Sequence, residues 1–192
     1  EVIAVDNYEN APGMQVAHSS HVIDMMDSEQ LEKIIIQESP DFIVPEIEAI
    51  RTEELISLEN EGFVVIPSAR AVNLTMNRDS IRDRATQLGI KTAKYKYANN
   101  KEQLDLAIKE VGLPCIIKPV MSSSGKGQTL VKSEKDSNTA WSFATKNMRG
   151  DRIKVIIEEV INFKSEITLL TVKQKKNKTV FCDPIGHTQE NG

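Results

Sequence analysis

Short apolar runs alternate with stretches in which apolar residues recur every three or four positions. Residues 2–5 form a continuous apolar strand that ends in Asp6, and residues 21–24 are a second short strand candidate. A helix is predicted over 28–38, with Leu31, Ile34 and Ile35 as its apolar face. Asp27 is its N-cap and Gln30, three residues on, the capping-box partner. Residues 42–44 and 63–66 read as a third and a fourth strand, stopped by Pro45 and Pro67. Between them Thr52 caps a helix that turns Leu55, Ile56 and Leu58 inward. Apolar strands without alternation, each followed by a helix, mark a parallel sheet covered on both faces. Ligands sit at the carboxyl ends of strands in such sheets, and Asp6 and Glu46 lie at such ends.

Residues 68–88 read as helices with Asn77 as the break between them, and Gly89 suits the position after a helix end. Asn100 caps a further helix, with Gln103 at its third position and Leu104, Leu106, Ile108 and Val111 partly inward. Then the pattern changes. Residues 115–118 are a strand, 121–128 a polar glycine loop, and 129–132 another strand. A helix over 136–148 packs Trp141 inside, and 154–158, 166–172 and 179–183 are strands. Hairpin connections in this order predict an antiparallel α+β unit. The domain boundary therefore falls near residues 77–90. The basic run at 174–178 reads as a solvated hairpin tip.

Composition narrows the picture. The 192 residues suffice for one well-buried domain or two small ones. With 40% hydrophobic and 27% charged residues, the chain has the balance of a globular protein. Asp and Glu outnumber Lys and Arg by 28 to 24, a net charge of -4 that argues against a nucleic-acid partner. It leaves small anions open, because a pocket on an acidic protein can be positive. Cys115 and Cys182 each sit in an apolar run without CxxC spacing, and are expected to be buried free thiols. His18, His21 and His187 show no metal-ligand spacing. No apolar run approaches the ~20 residues of a membrane span and no leader opens the chain, so no membrane partner and a cytoplasmic location are expected. The chain opens inside an apolar strand and stops after a strand and turn, so a fragment is expected.

Four segments can carry chemistry. The strongest runs from Lys118 through Ser122, Ser123, Ser124, Gly125, Lys126, Gly127 and Gln128. Glycines let several N–H groups point at one anion; the hydroxyls add donors, and Lys126 and Lys118 add positive charge. It is not a Walker A loop, which needs GxxxxGK[ST] between a strand and a helix. It is not a GxGxxG dinucleotide loop either, since Gly127 is followed by Gln128, Thr129 and Leu130. On composition alone it also fits a polar hairpin turn. The second segment closes an apolar strand with Glu158 and Glu159, followed by Val160, Ile161 and later Glu166. Such acids can accept hydrogen bonds from ribose hydroxyls or an exocyclic amine, or simply face water. The third leaves a strand end through Pro45 to Glu46 and Glu48; the fourth is a helix start carrying Arg78 and Asp79.

Taken together, VIAVDNYENAPGMQVAHSSHVIDM, FIVPEIEAI, LTMNRDSIR, PCIIKPVMSSSGKGQT, EITLLTV and PIGHTQENG resemble the formate-dependent phosphoribosylglycinamide formyltransferases of the ATP-grasp superfamily. The resemblance covers nearly the whole chain, and PEIEAI and KPVMSSSGKGQ are its most specific motifs. It implies an α/β fold: a parallel-sheet, Rossmann-like pre-ATP-grasp domain over 1–76 and α+β ATP-grasp lobes over 77–192, truncated at both ends. The implied reaction uses ATP and Mg2+ to activate formate as formyl phosphate, which then formylates phosphoribosylglycinamide in purine biosynthesis. By resemblance, Arg78 and Lys118 contact the ATP phosphates, with Lys118 the catalytic cation. Ser123, Ser124, Gly125, Lys126, Gly127 and Gln128 close over those phosphates. Glu158, Glu159, Val160 and Ile161 line the adenine, Glu166 meets the ribose, and Glu46 contacts the glycinamide substrate. The magnesium carboxylates are expected beyond residue 192 and the first strand of the fold before residue 1. The chain alone is therefore expected to be inactive, and the full-length protein to be a homodimer.

Two rivals share much of this pattern. The bicarbonate-using 5-(carboxyamino)imidazole ribonucleotide synthases are sister ligases, from which PEIEAI and the triple serine separate the chain. A non-catalytic ATP-binding module would use the same loop without a second substrate. A dinucleotide dehydrogenase, suggested by Asp6 at a strand end, has no need of the Lys118 loop.

Overall fold

A computed structural model describes residues 1–47, 49–122, 125–148, 152–174 and 178–188. The chain divides into two compact units, Glu1–Glu159 and Val160–Gly192. The fold is α/β, as expected, with a parallel sheet early and antiparallel sheets after it.

The first unit opens with β1 (Ile3–Asp6), paired in parallel with β2 (Ser19–Val22), two residues earlier than the strand expected at 21–24. Helix α1 (Ser28–Glu38) starts at the expected Asp27 cap but without the expected capping box, because the Asp27 N–H donates to Asp24 O at 3.0 Å and not to Gln30. Asp27 Oδ1 accepts from the N–H groups of Glu29 and Gln30 at 2.9 and 3.2 Å, and Gln30 Nε2 donates to Asp27 Oδ2 at 2.8 Å. The strands expected at 42–44 and 63–66 reduce to one parallel bridge, Ile43 with Val65. Helix α2 (Thr52–Asn60) begins at Thr52 itself, which is buried rather than capping; its Oγ1 accepts from Asn73 Nδ2 at 2.7 Å. That bond ties α2 to α3 (Ala69–Met76). Leu31, Ile34, Ile35, Leu55, Leu58 and Ala69 gather into one buried cluster.

Helix α4 (Arg78–Gln87) follows α3 after the break at Asn77, where the chain is extended. Then come β3 (Tyr95–Ala98), α5 (Lys101–Val111), β4 (Cys115–Pro119), β5 (Thr129–Val131), α6 (Ser137–Lys146) and β6 (Val155–Glu159). Asn100 caps α5 through an N–H of Gln103 at 2.9 Å. The four strands form one antiparallel sheet in the order β3-β6-β4-β5. Side chains alternate across it. Cys115, Ile117, Val131, Val155 and Ile157 join Leu104 and Ile108 of α5 and Ala140 and Ala144 of α6 in a second buried cluster, with Trp141 packed against it. The opposite face carries Lys118 and Glu158.

In the second unit, β7 (Glu166–Thr168) pairs with β10 (Ile185–His187), and β8 (Thr171–Lys173) with β9 (Thr179–Phe181), all antiparallel. The single strand expected at 166–172 is thus two. Cys115 is buried as expected, whereas Cys182 is exposed, because this small unit turns most of its side chains to solvent.

Candidate functional site

The site grows from the exit of β4. Lys118 is the fourth residue of that strand and alternates with Ile117, so its amine lies on the face away from the apolar cluster. Ile116 is the cross-strand partner of Glu158, which places Glu158 on the same face as Lys118. Lys118 Nζ lies 2.7 Å from Glu158 Oε2, and Arg82 Nε of α4 donates to Glu158 Oε1, also at 2.7 Å. The Glu158 side chain is 4% exposed. Burial pushes its carboxyl pKa up, but the Lys118 bond and charge, with those of Arg82, outweigh this and hold it below its ordinary value.

Helix α4 is docked onto the strand exit by its own first turn. The Arg78 N–H donates to Val120 O at 3.1 Å, and Arg78 Nη1 donates to Pro119 O at 2.9 Å and Ser122 Oγ at 3.0 Å. The next residue, Asp79, is buried and accepts from Arg152 Nη2 at 2.6 Å and Lys154 Nζ at 2.8 Å. Lys154 Nζ also lies 4.4 Å above the Tyr97 ring. Burial raises the Asp79 carboxyl, the Lys154 hydrogen bond and the two cationic charges lower it, and the net direction is down.

Beyond Ser122, Ser123 and Ser124 lie outside the described residues. Gly125, Lys126, Gly127 and Gln128 make a turn closed by the Gln128 N–H on Gly125 O at 3.2 Å. Gly125 and Gly127 have φ of 69° and 78°, a region that L residues rarely adopt. Gly127 is pressed so closely against Pro119 that an added Cβ would lie 2.7 Å from Pro119 Cγ.

Glu46 is exposed and borders a cavity of about 390 Å3 that Arg78, Ser122, Pro45 and Met76 also line. The residue expected at the glycinamide substrate and one expected at the ATP phosphates therefore share one cavity. Glu46 and Asp6 also border an apolar cavity of about 250 Å3 beside β1. Glu48 lies outside the described residues. Glu159 points away from Lys118: its Oε1 accepts the Lys94 N–H at 2.7 Å. Val160, Ile161 and Glu166 belong to the second unit, where Val160 and Ile161 are exposed and Glu166 lies opposite His187, 3.8 Å from its Nδ1.

Sequence reasoning missed Arg82 and Lys154, and gave Asp79 no role beyond the helix start it shares with Arg78. Arg78 and Arg82 are spaced i, i+4 on one helix face, a signal available in the sequence. Nothing in it announces that Asp79 is buried.

The chain belongs to the ATP-grasp family: the ATP-grasp domain matches residues 83–192. Among curated relatives, the formate-dependent phosphoribosylglycinamide formyltransferases of Flavobacterium psychrophilum and Bacteroides fragilis are 55% and 57% identical to it over all of its 192 residues. The chain spans about half the length of these relatives, 50% of each. A solved glycinamide-RNase-transformylase T from Mycobacterium tuberculosis is 30% identical and superposes with a TM-score of 0.71, over 100% of this chain and 51% of that one. An ADP-complexed N5-carboxyaminoimidazole synthetase from Staphylococcus aureus has a TM-score of 0.82 at 23% identity, over 100% of this chain and 49% of that one. At that identity the likeness shows the shared fold.

Proposed function

We propose that this chain is the nucleotide-binding half of a formate-dependent phosphoribosylglycinamide formyltransferase. The observation that carries the reading is the cavity shared by Glu46 and Arg78, with the Lys118 strand exit beside Ser122. The name of relatives that are 55% and 57% identical supplies the substrates. In the proposed reaction a formate oxygen attacks the terminal phosphorus of ATP, the bridging P–O bond breaks, and ADP leaves. The primary amine of phosphoribosylglycinamide then attacks the formyl carbon, the C–O bond to phosphate breaks, phosphate leaves and the amine loses a proton.

The geometry supports roles for the residues of this site. Phosphoryl transfer asks for clustered positive charge and fixed donors rather than covalent chemistry from the protein. Lys118 and Arg78 supply the charge, and the Gly125, Lys126 and Gly127 N–H groups the backbone donors over the phosphates, in a turn that the Gln128 N–H closes on Gly125 O. Glu46 holds the glycinamide substrate in the cavity it shares with Arg78. A glycine turn also suits a cover that excludes water from a labile acyl phosphate. In this reading residues 77–192 form the ATP-binding portion. Magnesium, when bound, neutralises the terminal phosphates. Among the described residues no group of three His, Cys, Asp or Glu converges to hold a metal ion. Among them, too, no helix is long and apolar enough to cross a membrane. A cytoplasmic homodimer is the proposed full-length form.

The test is ADP release by the full-length protein with Mg2+, phosphoribosylglycinamide and either formate or bicarbonate. Release that needs formate, and that falls by about a hundredfold or more in Lys118→Met, is the expected result. Release with bicarbonate alone moves the assignment to the sister ligases. Tight ATP binding without release under either condition makes the chain a nucleotide-binding module.

A further inference from the structure

Helix α4 presents two arginines one turn apart, and the reading above uses only the first. Arg78 reaches the exit of β4, with Nη1 on Pro119 O and Ser122 Oγ. Arg82 reaches the sheet instead, with Nε on Glu158 Oε1 at 2.7 Å. The other oxygen of the same carboxylate is 2.7 Å from Lys118 Nζ. The three side chains differ in their access to water: Glu158 is 4% exposed, Lys118 20% and Arg82 32%. The anion is thus sealed while both cations keep an open side.

We propose that Arg82 is a positioning residue for Lys118: by sharing the Glu158 carboxylate, it leaves the lysine ammonium charged in excess and able to turn toward the nucleotide phosphates. The proposal rests on the nucleotide assignment made above. Two cations around one carboxylate leave one positive charge over. An ammonium carries three N–H donors, and Glu158 takes one of them. As Lys118 leans toward a phosphate, Glu158 stays neutralised by Arg82. With Arg82 gone, the same movement strips a buried carboxylate of its last partner, which is strongly unfavourable. Lys118 would then be held by the protein rather than offered to the ligand.

Among the described residues, the neighbouring Tyr95, Tyr97 and Lys154 on this side of the sheet have acidic partners of their own. Tyr97 and Tyr95 both donate to Asp83 Oδ1, at 2.8 and 3.0 Å, and Lys154 is engaged by Asp79. Tyr95, Tyr97 and Lys154 are each bonded elsewhere, and the Glu158 oxygens meet Arg82 and Lys118.

Titration calorimetry with Mg-ATP on the full-length protein tests this in five forms: wild type, Arg82→Gln, Arg82→Lys, Glu158→Gln, and Arg82→Gln combined with Glu158→Gln. Arg82→Gln is expected to weaken binding about tenfold, and Arg82→Lys to stay within about threefold of wild type. In the Glu158→Gln background, Arg82→Gln is expected to change affinity by less than about threefold, because the carboxylate it shields is gone. An equal penalty in both backgrounds, or no penalty in either, overturns the proposal. If Arg82→Gln does not fold, Arg82→Lys decides: affinity near wild type supports the shared carboxylate, and a loss of about tenfold overturns it. A wild-type protein that binds no ATP is a different result, since it defeats the nucleotide assignment itself.

Discussion

Asp79 is 5% exposed and still charged, because Arg152 and Lys154 meet its Oδ2 at 2.6 and 2.8 Å. Removing one partner of a buried ion pair costs more than the pair contributes, since the remaining charges lose their compensation. Asp79→Asn is therefore expected to destabilise the protein at neutral pH by about 3 kcal/mol. The pH dependence has a definite sign. The carboxyl pKa is lowered in the folded state, so its contribution is complete above the ordinary carboxylate value and is lost as pH falls through the folded value. Denaturant unfolding of wild type and Asp79→Asn across pH should show the gap narrowing below about pH 4. A gap that is constant with pH would refute the ionic account. Glu158, also held low, adds to the same acid limb.

Among the elements, the glycine turn between β4 and β5 makes the sharpest demand on sequence. A left-handed backbone costs an L residue about 1–2 kcal/mol, and Gly127→Ala adds a clash with the Pro119 ring to that strain. Gly125→Ala has the same φ cost, but among the described residues its Cβ meets only the far end of the Gln128 side chain at 3.0 Å. Gly127→Ala should thus lose more stability in urea unfolding than Gly125→Ala; the reverse order would show that Pro119 yields. This turn was legible in the sequence because glycine at such spacing has few other uses. So were α1 and α5, whose caps at Asp27 and Asn100 lie beside periodic apolar faces. Helix α4 was legible as a helix but not as part of the site. Its apolar residues are Ile81 and Ala85, Ile81 is exposed, and the residue it buries is Asp79. Apolar periodicity is blind to a helix that docks through charges. Glu158 was likewise visible as an acid at a strand end, while its clamp by Arg82 depends on residues 76 positions apart. The strands expected at 42–44 and 63–66 shrank to a bridge because apolar content alone does not supply a paired neighbour.

At the scale of the whole molecule, the first unit holds two buried clusters with no member in common. Leu55 and Leu104 are both fully buried, one in each. Leu55→Ala and Leu104→Ala are each expected to cost about 2–5 kcal/mol. In the double variant the costs should add to within about 0.5 kcal/mol, as for independent sites. Denaturant titration of the four proteins measures this, and a strong deviation would mean that the clusters act as one core. The sheet order β3-β6-β4-β5 has a consequence for how such a chain is made. The strand that joins β3 to β4 is the last of the four to be synthesised. Until residue 159 has left the ribosome, β3 and β4 stand without their common neighbour, each with an open hydrogen-bonding edge. Folding of this sheet must therefore wait for its middle, and a nascent chain paused before β6 exposes two unpaired edges to whatever strands are nearby.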